Sequence, residues 1–217
     1  MLFPIVIQDN FFEDPDFIVN YANKLKYEEN VKKAPGLRTK PIHQFDQEFF
    51  SWVTNKSLKL YYPDKDLEFS ASAVFQKIPV NLKYDGWVHV DSPCELTILV
   101  YLNKHTETGT SFYRRKTPIE FSDKNQELKH EYFLHSNNNN KKIEEAKKFN
   151  NSFFEETINI KGIYNRCVMF DASLFHAAQV FTGDPEEKER LIFVNAIFSI
   201  SEKGKILKYP VAECRRC

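Results

Sequence analysis

The sequence predicts a mainly β domain of the α+β kind, a sandwich or barrel of short strands supported by two helices at its N-terminal end. Three observations carry this expectation. Short runs rich in β-branched and aromatic residues recur from residue 69 to residue 200, with turn residues between them. The two clearest stretches of helically spaced apolar residues both precede residue 66. A chain of 217 residues with 20 Phe is large enough for one real core, or for one core carrying an insertion. The organisation expected is a single domain over 1–217, with helical support in 1–66, a β core in 67–200 and a polar insertion at 119–154 within that core.

Phe3 to Ile7 reads as a short strand. Asp14-Pro15-Asp16 opens a helix, with a capping carboxylate, proline at the first helical position and acid near the positive end of the helix dipole. Phe17, Ile18, Tyr21, Ala22 and Leu25 form its apolar face, and Ala34 to Thr39 reads as a turn or extended loop. Asp46 to Leu60 is the second helix, with Phe49, Phe50, Trp52, Val53 and Leu60 on its apolar side. Strands are expected at Phe69–Ile78, Gly86–Val90, Leu96–Leu102 and Thr110–Tyr113, then at Thr157–Ile160, Arg166–Phe170, Ala177–Phe181 and Leu191–Ile200. A hairpin of the last two, turning at Gly183 and Asp184, would set His176 opposite Arg190. Between the strand groups, Ile119 to Phe154 is rich in Asn, Lys and Glu, contains the run Asn137–Asn140, and offers a short helix at Lys141–Phe149. Inside a β domain such an insertion is either a lid over a site or a solvated excursion.

Composition excludes several classes of function. Thirty basic and thirty acidic side chains give no net charge, hence no global attraction to nucleic acid or to an anionic membrane. No apolar run approaches the roughly 20 residues of a membrane span, and Met1 to Ile7 lacks the basic flank of a signal peptide. A cytoplasmic protein with neither membrane nor nucleic-acid partner is expected. Cys94, Cys167, Cys214 and Cys217 are too scattered for a disulfide framework. The terminal Cys214/Cys217 pair lacks the two further ligands of a structural zinc site and reads as an accident of spacing.

His89-Val90-Asp91 ends a predicted strand stopped by Pro93, and residues i and i+2 of a strand share a face. An imidazole and a carboxylate so placed are half of a two-histidine, one-carboxylate metal site, which leaves positions open for oxygen chemistry at Fe(II). Alone, the pair is a weak signal and reads more readily as a surface strand end. His176, just beyond the Arg166–Phe170 run, is the candidate second imidazole. Arg190 heads an apolar strand, and a buried guanidinium needs an anionic partner. A ligand carboxylate would serve, with Asp184, Glu186 or Glu187 as the surface alternative. His43, His105, His130 and His135 lie among polar or loop residues, and Arg114-Arg115-Lys116 is a solvated strand end or a site for an acidic substrate.

Taken in order, these residues resemble a known family. His89-Val90-Asp91-Ser92-Pro93, followed by the apolar run Leu96 to Leu102 and Asn103, is similar to the core of prolyl 4-hydroxylase-like Fe(II)/2-oxoglutarate dioxygenases. Thr108-Gly109-Thr110-Ser111-Phe112 stands where those enzymes have a Gly-Gly turn, and Asn165 to His176 matches their strand and turn before the distal histidine. The opening helix and Pro35 to Thr39 resemble an uncharacterised branch found in phages and marine bacteria, which would place the protein in a host cytoplasm. The resemblance spans about residues 69–200. It implies a double-stranded β-helix (jelly-roll) core, with His89, Asp91 and His176 as iron ligands. It further implies that Arg190 binds the far carboxylate of 2-oxoglutarate and that Tyr101 hydrogen-bonds the same group. The cofactors implied are Fe(II), 2-oxoglutarate as cosubstrate and O₂, with hydroxylation of a small molecule or protein side chain as the default outcome. Two departures are the long spacing from His176 to Arg190 and Thr108 in place of a glycine. A non-catalytic jelly-roll binding module and a zinc hydrolase with the same three ligands are the competing readings.

Overall fold

The computed structural model describes residues 5–29, 36–79, 86–104, 109–116, 141–179 and 189–207. The N-terminal part comprises β1 (Ile5–Gln8), α1 (Pro15–Asn23), β2 (Tyr27–Glu29), β3 (Leu37–Thr39) and α2 (Gln47–Leu58). The strands β4 (Glu68–Pro79), β5 (Leu96–Tyr101) and β6 (Thr110–Arg115) follow, then α3 (Lys141–Ser152). The chain continues through β7 (Phe154–Ile160), β8 (Arg166–Asp171), β9 (Phe175–Ala178), β10 (Glu189–Glu202) and β11 (Lys205–Ile206).

Two antiparallel sheets result. The larger has the order β1-β8-β5-β10-β4-β3-β2, with β11 on β10, and the smaller has the order β7-β6-β9. Strand alternation gives each sheet two different faces. On the outer face of the larger sheet, Ala73, Phe75, Ile98, Val100, Phe193 and Ile197 pack beneath the helices through Ile18, Ala22, Phe50, Val53 and Leu58. On the inner face, Tyr101, Val168, Phe170 and Ile192 meet Phe112 and Ile160 of the smaller sheet. Apolar burial on both faces is what holds the central strands between two layers.

The helices begin where the caps predict. Asp14 accepts from the Phe17 amide at 2.9 Å and Asp46 from the Phe49 amide at 2.9 Å, with Pro15 opening α1. Asp46 also accepts from the Tyr21 hydroxyl at 2.7 Å, tying the two helices together. Two expected core residues are not core: Phe17 is 61% exposed and Trp52 47%. The packing stripe of α1 runs through Ile18 and Ala22, which turns Phe17 to solvent.

Three strand expectations are corrected. Residues 37–39, expected as turn or loop, form β3, paired to β4 through Leu37–Lys77 and Arg38–Gln76. Gly36, at φ +75°, admits β3 there, because a Cβ would overlap the Lys77 carbonyl. Residues 86–90 are not a regular strand, since only His89 forms a bridge, to His176. The expected hairpin of the last two strands does not form, because β9 and β10 belong to different sheets. Both edges of β9 are occupied, by β6 on one side and by His89 on the other, so Arg190 pairs instead with Ile78 of β4.

α2 is joined to the central strand by one buried polar contact, in which Asn195 Nδ2 donates to Thr54 Oγ1 at 2.9 Å. Thr54→Val keeps the shape but removes the acceptor. It should lower unfolding free energy by about 1–3 kcal/mol, read by urea denaturation.

Candidate metal centre

The site is built first by backbone. His89 and His176 exchange both of their peptide hydrogen bonds, at 3.0 and 2.9 Å. On either side, Gly86 N–H donates to the Ala178 carbonyl at 3.0 Å and Asp91 N–H to the Ala172 carbonyl at 2.8 Å. Gly86 is required by this approach, since a Cβ there would overlap the Ala178 carbonyl and crowd Ala177 Cβ at 2.7 Å. The turn leading to His176 is closed by Asp171, whose Oδ1 accepts from the Ser173 amide at 2.7 Å and hydroxyl at 2.6 Å.

The side chains then converge. His89 Nδ1 lies 2.7 Å from the Trp87 carbonyl and His176 Nδ1 lies 2.9 Å from the Leu174 carbonyl. A carbonyl can only accept, so each Nδ1 carries a proton and each ring turns its Nε2 into the site. Those two nitrogens face the Asp91 carboxylate, His89 toward Oδ1 and His176 toward Oδ2, each at 3.4 Å. Thr97 Oγ1 donates to Oδ2 at 2.8 Å and helps orient the group. One ligand atom from each of the three residues lies within 4.8 Å of the other two. With a proton on Nε2 each ring can donate to the carboxylate; with that proton gone, both Nε2 lone pairs and the Asp91 oxygens face one point that a small dication can occupy. The donor set therefore fits a divalent metal of the imidazole- and carboxylate-binding kind, and the Nδ1 carbonyl contacts are the orientation such ligands need. Burial would raise the Asp91 carboxyl, but the positive charge and hydrogen bonds of protonated His176 and His89 outweigh it and hold it well below the usual carboxylate range. Phe170 packs edge-on against His176, with ring centres 4.7 Å apart, and Phe112 lies 6.2 Å away. Cys94 donates its amide to the Asp91 carbonyl at 3.1 Å, and its thiol is pushed up to about 11, first by burial and then by Asp91.

Tyr101 and Arg190 come together elsewhere on the same inner face. Tyr101 stands opposite Ile192, and the Arg190 guanidinium lies 5.5 Å from the centre of its ring. Arg190 is only 8% exposed, and the Tyr101 hydroxyl lies 2.7 Å from Thr110 Oγ1. Arg114 is a surface residue paired with Glu155 at 2.9 Å.

The residues that sequence reasoning missed are Asn150 and Asn151, at the end of α3. Asn150 Nδ2 donates to the Val88 carbonyl at 3.1 Å. Asn151 accepts from the Val88 amide at 3.0 Å and donates to the Gly86 carbonyl at 3.0 Å. These amides satisfy the side of segment 86–88 that has no strand partner, immediately before His89. In the sequence they belong to an Asn- and Lys-rich stretch that reads as solvated. Phe154 is buried with Val88 and Ala177 beside them, whereas Phe149 is 66% exposed. The base of the insertion is closed where the Lys116 amide donates to the Phe153 carbonyl at 3.0 Å and Lys116 Nζ to the Ser152 carbonyl at 3.0 Å. Residues 117–140 of the expected lid, with His130 and His135, lie outside the described residues, as do His105, Thr108, Cys214 and Cys217.

The family of unknown function DUF6445 matches residues 3–189. The chain belongs to that family. Comparison with curated proteins gives no match. Among solved structures, the DUF6445 chain is similar to HygX from Streptomyces hygroscopicus, crystallised with nickel and 2-oxoglutarate bound. The two are 8% identical with a TM-score of 0.57, over 97% of this chain and 87% of that one. It is also similar to SnoK, the non-heme alpha ketoglutarate dependent carbocyclase of nogalamycin biosynthesis, at 10% identity and a TM-score of 0.55, over 99% and 86% of the chains. An oxidoreductase of the 2OG-Fe(II) oxygenase family from Burkholderia pseudomallei is 9% identical with a TM-score of 0.50, over 89% and 84%. These likenesses establish the fold: this DUF6445 chain has the jelly roll of 2-oxoglutarate/Fe(II) oxygenases. The phage and marine-bacterial branch finds no counterpart among them. No helix among the described residues is long and apolar enough to cross a membrane.

Asn151→Ala should free the Val88 amide and the Gly86 carbonyl together. Hydrogen exchange at Val88 should accelerate at least about tenfold, with global stability down by about 1–3 kcal/mol. Asn151→Asp, which retains the acceptor but not the donor, should fall between the variant and the wild type.

Proposed function

We propose that the protein is an Fe(II)- and 2-oxoglutarate-dependent oxygenase that hydroxylates a C–H bond of a small molecule or a protein side chain. The observation that carries this reading is the convergence of His89 Nε2, His176 Nε2 and the Asp91 carboxylate inside an oxygenase jelly roll. Fe(II) held by these residues, with 2-oxoglutarate and O₂, would supply oxidative decarboxylation of the cosubstrate to succinate and CO₂, coupled to oxidation of the substrate.

The remaining work falls to the chain. The Trp87 and Leu174 carbonyls hold the two rings in one tautomer, and Thr97 keeps Asp91 turned toward them. Arg190 is the residue assigned to the far carboxylate of 2-oxoglutarate. Its burial gives a charge-assisted bond the low-dielectric setting in which it is strong. Tyr101 can accept from Thr110 while donating to the same carboxylate, since a hydroxyl does both. Phe112 and Phe170 keep water from the His176 side. A zinc hydrolase with the same ligands would have no use for Arg190.

Anaerobic titration with Fe(II) and 2-oxoglutarate, followed by succinate formation in air, tests the assignment. Asp91→Ala should abolish both metal binding and turnover without unfolding the protein, and undiminished turnover would remove Asp91 from the site. Arg190→Lys should weaken 2-oxoglutarate binding roughly ten- to a hundredfold while iron binding is retained. An unchanged 2-oxoglutarate dissociation constant would move the clamp away from Arg190.

A further inference from the structure

A second arginine shares the inner face of the larger sheet, and neither the metal site nor the cosubstrate clamp uses it. Arg38 on β3 stands beside Gln76, which stands beside Ile192, which stands beside Tyr101, in one row across four strands. Side chains in such a row point the same way, and Tyr101 and Ile192 belong to the cluster between the sheets. Arg38 Nη2 donates to Gln76 Oε1 at 3.1 Å. Its Nε is buried without a hydrogen-bond partner, and no carboxylate among the described residues lies within salt-bridge distance of it. The Asp91 carboxylate is near enough for its charge to oppose the effect of burial, which brings the guanidinium down to about 10.

We propose that Arg38 is a carboxylate-binding site on the inner face of the barrel and that the substrate to be oxidised carries a carboxylate. Two features select this class. Nε, which has no partner, lies on the guanidinium edge that it shares with Nη2, the edge that can grip a carboxylate through two parallel bonds. The second feature is charge, and it rests on the oxygenase reading. A divalent metal, one Asp91 carboxylate, a doubly charged 2-oxoglutarate and Arg190 together balance, with both imidazoles neutral. Arg166 is already matched by Asp9 at 2.5 Å. Arg38 then leaves one positive charge uncompensated in a poorly solvated interior, and a monoanionic group on the substrate cancels it.

The probe is propionate, with propionamide as its neutral counterpart. It is titrated into ¹⁵N-arginine-labelled protein, metal-free and loaded with Zn(II) and 2-oxoglutarate, while the Arg38 Nε–H resonance is followed; Arg38→Gln identifies that resonance. Propionate should shift it saturably, and propionamide should not. In Arg38→Gln, propionate affinity should fall by about ten- to a hundredfold, while Arg38→Lys should retain part of it. Melting curves establish that the variants are folded. No shift, or an equal shift with propionamide, overturns the proposal. A tenfold loss of 2-oxoglutarate affinity in Arg38→Gln also overturns it, by assigning Arg38 to the cosubstrate. Failure of both proteins to bind metal and 2-oxoglutarate would count against the oxygenase reading alone, because the metal-free titration still reports on Arg38.

Discussion

The pair of peptide hydrogen bonds between His89 and His176 is the contact on which the rest of the site depends. It joins two segments far apart in the chain and sets both imidazoles on one side of a single bridge. It also occupies the second edge of β9, whose first edge is taken by β6. With no edge left, β9 cannot extend into a hairpin with β10, and the chain must cross to the larger sheet. The two-layer topology and the placement of the ligands are thus consequences of one local pairing.

Much of this was legible in the sequence wherever a short-range rule decides. Asp14 and Asp46 cap their helices because a carboxylate three residues ahead of an amide is a local geometry. His89 and Asp91 share a face because extended backbone alternates, even though their segment is not a regular strand. What was hidden depends on partners distant in sequence. Nothing in the run Gly86 to Val90 reveals that its amides bond β9 on one side and two asparagine side chains on the other. The same holds for Arg38, which reads as a loop residue until Gly36 allows its strand to lie against β4. Phe17 and Trp52 misled for a different reason: helical periodicity gives a stripe, and which flank of it is covered depends on what packs there.

The electrostatics of the interior follow a single pattern. Around the site, several ionisable groups are oriented by a neutral partner: the histidines by carbonyls, Asp91 by Thr97 and Arg38 by Gln76. Neutral hydrogen bonds hold these groups in position without cancelling their charge. The net field inside the barrel is therefore left for ligands to neutralise, which suits a cavity meant to be filled.

The contacts of Lys116 with Phe153 and Ser152 have a consequence for how this protein can vary among its relatives. They fix the end of β6 against the end of α3, so the two amides that support segment 86–88 are held by a sheet as well as by their helix. The last turn of α3 must then keep its two amides. Among relatives, the Asn-Asn pair should stay unvarying wherever a chain segment is held beside β9 as 86–88 is here.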